Sequence, residues 1–179
     1  MNTSFTHKIF YPTIVALTVL IYSCGGGETK KTRIFEGYPE WMDSIVVSPD
    51  KILRGIEPGM SQQEILEKEV IKPEEGDSLF QYYEFSTDSN YTVTFNYRFE
   101  NKKLQEIEMT IFSDKVEAGN EVFNQLIKYY ESKFSKPIEE KGIYVFNAAT
   151  SAGGTAKVSL EDRSELNKGI IHILVYTEE

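Results

Sequence analysis

Ten residues, YTVTFNYRFE, set the terms for the whole chain. Over residues 91–100, Tyr91, Val93, Phe95, Tyr97 and Phe99 alternate with Thr92, Thr94, Asn96, Arg98 and Glu100. Successive side chains of a strand point to opposite faces, so a period of two predicts one face on a core and one toward water. A strand buried on both faces in a parallel sheet would be apolar throughout, so this one belongs in an antiparallel sheet. After the polar link Asn101-Lys102-Lys103, Ile107, Met109 and Ile111 alternate with Glu106, Glu108 and Thr110. Two alternating runs across a short polar link read as an antiparallel hairpin.

Other segments are placed around that hairpin. Strands are predicted over residues 79–86, 143–147, 155–161 and 169–177, the last containing IIHILVY, apolar on both faces and expected at the centre of the sheet. The stretch RGIEPGMSQQEILEKE stops the chain and starts a helix. Pro58-Gly59 marks a turn, Ser61 and Glu64 have the spacing of a capping box, and Met60 and Ile65 that of a hydrophobic staple. The helix so started is only about ten residues long before Lys72-Pro73, too short to nucleate alone in water. A second helix is expected from a cap at Asp114 and Glu117 to about Phe134, with Val122, Phe123, Leu126, Ile127 and Tyr130 on one stripe. Trp41 and residues 45–47 add a short strand or a covering segment. The predicted order is helix, three strands, helix, three strands: an α+β chain with an antiparallel sheet packed on two helices.

The N-terminus reads as an address. His7 and Lys8 precede a mostly apolar run over residues 9–22, which falls short of the roughly 20 residues a spanning helix needs. Ile21, Tyr22, Ser23 and Cys24 resemble the lipobox of bacterial lipoproteins, Tyr22 being bulkier than usual at its place. That resemblance implies removal of residues 1–23 as a signal peptide and lipidation of Cys24, the single cysteine of the chain. Gly25, Gly26 and Gly27 open a flexible tether over residues 24–35, and residues 36–179 form one domain. No acidic residue follows Cys24 directly, so by the sorting rule of such lipoproteins the outer membrane is expected over the inner one.

Charge narrows the partners. The net charge is −9, and loss of Lys8 with the signal leaves about −10. Such a domain is repelled by nucleic acid and by anionic lipid head groups, leaving the membrane to the lipid anchor alone.

The helix start followed by an antiparallel meander resembles the small outer-membrane lipoproteins of the SmpA/OmlA group, and is similar to the helix-plus-meander repeat of β-lactamase inhibitor proteins and to lipoproteins of Bacteroidota. The likeness rests on G-M-S-x-x-E-I within residues 59–65. It implies architecture and compartment, and carries no binding residue over.

Catalytic parts are scarce. The chain has two histidines, and His7 lies in the signal. His172 sits between isoleucines in a strand, where pairing with a neighbour or facing solvent is expected rather than general-base work. One histidine and no free thiol speak against a zinc site of ordinary composition, and no spacing selects a carboxylate pair for glycoside hydrolysis. Asp88-Ser89-Asn90 reads as a turn. The loop AATSAGGT is either a mobile lip over a groove or a plain hairpin link. Aromatics are the surplus: Phe80, Tyr82, Tyr83 and Phe85 cannot all point inward from one strand. With Trp41 they form either a binding surface or a patch covered by the segment 38–41. The expectation is a non-enzymatic envelope protein, without cofactor or metal, that binds another envelope protein. A carrier with a ligand between the second helix and the sheet is the alternative, and a hydrolase comes third.

Overall fold

The computed structural model describes residues 33–87 and 90–178. The expected signal peptide, Cys24, most of the expected tether, and Asp88 and Ser89 of the expected turn lie outside the described residues.

Two short helices come first, α1 (Trp41–Ile45) and α2 (Gln62–Lys68), followed by strands β1 (Glu75–Gly76), β2 (Phe80–Ser86), β3 (Tyr91–Glu100) and β4 (Lys103–Ser113). A long helix, α3 (Val116–Lys133), leads to β5 (Ile138–Glu140), β6 (Ile143–Ala149), β7 (Thr155–Asp162) and β8 (Gly169–Thr177). All eight strands form one antiparallel sheet in the order β1-β2-β3-β4-β8-β7-β6-β5. The fold is thus mixed α+β, as expected, but each run holds four strands rather than three; residues 41–45 form α1, a cover over the sheet and not a short strand.

The alternation of β3 becomes burial: Val93, Phe95 and Tyr97 are at most 1% exposed, while Thr92, Thr94 and Asn96 are half-buried and Arg98 is exposed. Asn101 and Lys102 adopt φ of 50° and 64°, the left-handed pair of a two-residue hairpin turn whose twist matches its strands. At the other end of the motif, β8 does lie centrally, between β4 and β7.

Helices occupy one face of this sheet. Val122, Leu126 and Tyr130 of α3 sink into a layer formed with Phe146, Val158, Ile173 and Met109. The close approach of α3 to β8 depends on two glycines: a Cβ on Gly169 would lie 2.6 Å from the Gly119 Cα. Over β2 and β3 the cover is α1, α2 and the buried loop between them. Ser61 accepts from the Glu64 N–H while the Glu64 carboxylate accepts from the Ser61 N–H at 2.7 Å, the expected capping box. The helix it starts is seven residues long rather than about ten. Asp114 does not cap α3; Lys115 holds the cap position without a side-chain bond, and Asp114 is exposed one residue too early.

Candidate functional site: the helix-free sheet face

The face opposite the helices carries the even-numbered side chains of β2, β3 and β8, and of β4 from Glu106 onward. Alternation divides the aromatic candidates between the two sides. Phe80 and Tyr82 stand on the helix-free face and are half-buried. Tyr83 points the other way and is fully buried, stacked on Phe95 with ring centroids 4.6 Å apart. Phe85 shares that inner side, against the core. Trp41 is 5% exposed and meets Tyr91 edge-on, so it is part of the packing rather than of a surface. The proposed patch of five therefore reduces to two half-buried rings on the helix-free face, because neighbours on a strand cannot share a face.

Register places polar groups beside those two rings. Arg98 lies opposite Phe80 on β3, Asn96 opposite Tyr82, and Glu75 opposite Tyr82 on β1. With Leu79 and Phe99 they wall a hollow of about 580 Å³. The Tyr82 hydroxyl donates to the Glu84 carboxylate at 2.7 Å. That bond, then burial and the charges of Glu84, Glu75 and Glu74, raises the Tyr82 pKa above the ordinary tyrosine value. Arg98 pairs with Glu106 at 3.4 Å while keeping most of its side chain exposed. Farther along, His172 is paired with a neighbour: its Nε2 lies 3.1 Å from Glu108 Oε1, and the ring is 8% exposed between β4 and β7.

Two further clusters hold chemistry-bearing groups, and both are closed on themselves. Arg54 and Glu69 are the first and last residues of the stretch RGIEPGMSQQEILEKE, and they meet inside the protein. Arg54 Nε donates to Glu69 Oε1 at 2.9 Å and Nη2 to Oε2 at 2.8 Å, a planar bidentate pair with both side chains at most 2% exposed. Nη1 donates to the Ser44 and Ile45 carbonyls at 3.2 and 3.0 Å, which caps the end of α1, and the Tyr97 hydroxyl donates to Glu69. The guanidinium carbon lies 4.7 Å from the Phe95 ring centroid. Burial pulls the Arg54 pKa down, but its bonds to Glu69 outweigh that and leave it raised, so the charge is fixed. Sequence reading missed this pair; the signal was a charged residue inside the apolar run Ile52-Leu53-Arg54-Gly55-Ile56.

The second cluster brings a hydroxyl, an ammonium and a carboxylate together. Lys51 Nζ donates to Glu57 at 2.8 Å and to the Ser151 hydroxyl, and the Ser151 N–H donates to Glu57 at 3.1 Å. Ser151 therefore faces a cation already paired with a carboxylate, which is a donor and not a base. The contact ties the AATSAGGT loop to residues 51–57. A larger hollow of about 1250 Å³ lies between the start of α3 and residues 164–168, where Leu166 is 98% exposed. No buried polar atom left without a partner among the described residues belongs to its lining.

Family models, curated proteins and solved structures contain no match to this chain.

Proposed function

We propose that this chain is a lipid-anchored protein of the cell envelope, held through Cys24 in the outer rather than the inner membrane. In this reading it acts without catalysis by binding another envelope protein on the helix-free face of its sheet. The observation that carries the reading is that face: among the described residues, an eight-stranded sheet with its helices on one side and half-buried aromatic and exposed charged side chains on the other. Among the described residues no helix is long and apolar enough to cross a membrane. The carrier alternative needs room between α3 and the sheet, and Leu126, Tyr130, Phe146 and Val158 fill that space with almost no exposure. A glycosidase needs carboxylates facing across a cleft, whereas Glu106 and Glu108 stand side by side on β4.

The test is photo-crosslinking in intact cells from a benzoylphenylalanine placed at Thr94 or Ser159 on the open face, with Asn124 on the outer side of α3 as reference. Adducts to one envelope protein from the two face positions, lost when Cys24→Ala removes the anchor, are expected. Adducts from Asn124 alone, or none from the face, would overturn the reading. Metabolic labelling with an alkyne fatty acid tests the anchor itself, with label expected on the native chain and absent from Cys24→Ala.

A further inference from the structure

We propose that the β1–β4 end of the open face receives an extended basic segment of the partner protein, with an arginine or lysine side chain seated against Phe80 and Tyr82. The inference rests on the reading of the open face as the contact surface, and gives that surface a chemistry.

Phe80 and Tyr82 are two residues apart on β2, so their Cα atoms lie about 6.7 Å apart and their side chains share one face. A ring face is the negative side of an aromatic group and attracts a cation placed over it. Beside the two rings stand the carboxylates of Glu75 on β1 and Glu84 on β2, while Glu106 and Glu108 lie one strand beyond β3 and are paired with Arg98 and His172. Arg98 is outnumbered there and already held by Glu106 at 3.4 Å. The raised pKa of Tyr82 reports the same negative field, since the charges of Glu84, Glu75 and Glu74 contribute to it. Rings and carboxylates thus favour one class of occupant, a positively charged side chain. An anionic ligand is repelled, and a neutral sugar would use the rings but leave the carboxylates without a counter-charge.

The sheet edge makes room for a strand-like segment. β1 pairs with only Gln81 and Tyr82 of β2, so among the described residues Glu84 and Ser86 have no strand on that side. An extended chain can lie along that edge with alternate side chains turned over the open face. Cation and extended backbone are then met at one place, beside Glu84.

The experiment titrates the full lipidated chain, in detergent, with fluorescein-labelled (Thr-Arg)3 and reads anisotropy. (Thr-Gln)3 and maltohexaose serve as uncharged probes. Saturable binding of the arginine peptide is expected, weakening as salt rises and falling roughly tenfold in Tyr82→Ala/Glu84→Gln. Glu131→Gln/Glu139→Gln removes more charge from exposed positions elsewhere and is expected to leave the affinity unchanged. Both variants alter exposed or half-buried side chains, and equal thermal melts establish that both are folded. Equal weakening in the two variants would make the binding diffuse attraction to an acidic protein and overturn the proposal. So would equal affinity for the glutamine peptide, preference for maltohexaose, or no arginine binding at all. If arginine binding fails while crosslinks still form from Thr94, only the cation chemistry falls; if both fail, the open-face reading falls with it.

Discussion

Replacing Glu69 by leucine removes the carboxylate that, among the described residues, pairs with a guanidinium closed off from water. Arg54 keeps its charge whatever its surroundings, because arginine does not lose its proton in proteins. In Glu69→Leu, two of its donors lose their acceptor while Nη1 still holds the Ser44 and Ile45 carbonyls. Breaking a buried pair from one side costs about 3–5 kcal/mol. For a domain of this size that lowers the melting temperature by roughly 6–20 °C. Arg54→Met leaves the converse, a carboxylate buried with only the Tyr97 hydroxyl donating to it, and a loss of the same order is expected. The double variant Arg54→Met/Glu69→Leu removes both charges and fills similar volume. Its loss should be about 1–3 kcal/mol smaller than the worse single variant, not the sum of the two. Trp41 is the single tryptophan, is buried, and belongs to the helix that Arg54 caps, so its fluorescence in a urea titration reports the transition. A loss under about 1 kcal/mol in Glu69→Leu, or additive losses in the double variant, would refute the reasoning.

Two other outcomes follow from packing and titration. Gly169→Ala puts a Cβ 2.3 Å from Ser113 Oγ and 2.6 Å from the Gly119 Cα, so α3 must move off the sheet, and a loss of about 2–4 kcal/mol is expected in the urea midpoint. Burial raises the hydroxyl pKa of Tyr83 to about 12 and those of Tyr97 and Tyr129 upward as well, while burial lowers Lys133 to about 8. Between pH 8 and the ordinary lysine value of 10.5 the unfolded chain binds more protons at Lys133, so that group makes stability rise with pH. The tyrosines act oppositely: their contribution is complete below the ordinary value of 10.0 and is lost as pH rises toward about 12. Stability followed by near-ultraviolet circular dichroism should therefore fall steeply above pH 10, and Lys133→Met should remove any rise between 8 and 10; no alkaline fall would refute the burial argument.

Local patterns were legible and pairings at a distance were not. The alternation of β3 and β4, the Ser61 cap and the central place of β8 each depend on residues close in sequence, and the structure has all three. β1 and β5 hold two and three residues, all exposed, and form because β2 and β6 offer an edge to pair with. Nothing in so short a run differs from a loop. Arg54 and Glu69 are fifteen positions apart and charged, and charged residues read by default as solvated. Of the candidate surface, the strand rule separated Phe80 and Tyr82 from Tyr83 and Phe85 in principle, but which pair faced outward depended on the cover that α1, α2 and their loop supply.

The place of β8 between β4 and β7 has a consequence for how the chain comes into being. A ribosome or a translocon delivers this polypeptide from its N-terminus, and β4 is complete long before its partner exists. Roughly 55 further residues separate the end of β4 from the start of β8, about 3–11 s at ordinary rates of synthesis. Throughout that interval β4 presents an unsatisfied row of amides and carbonyls over Ile107, Met109 and Ile111, the kind of edge that captures a neighbouring chain. Pairing of β8 is what closes that edge, so the central strand, made last, ends the exposure of β4.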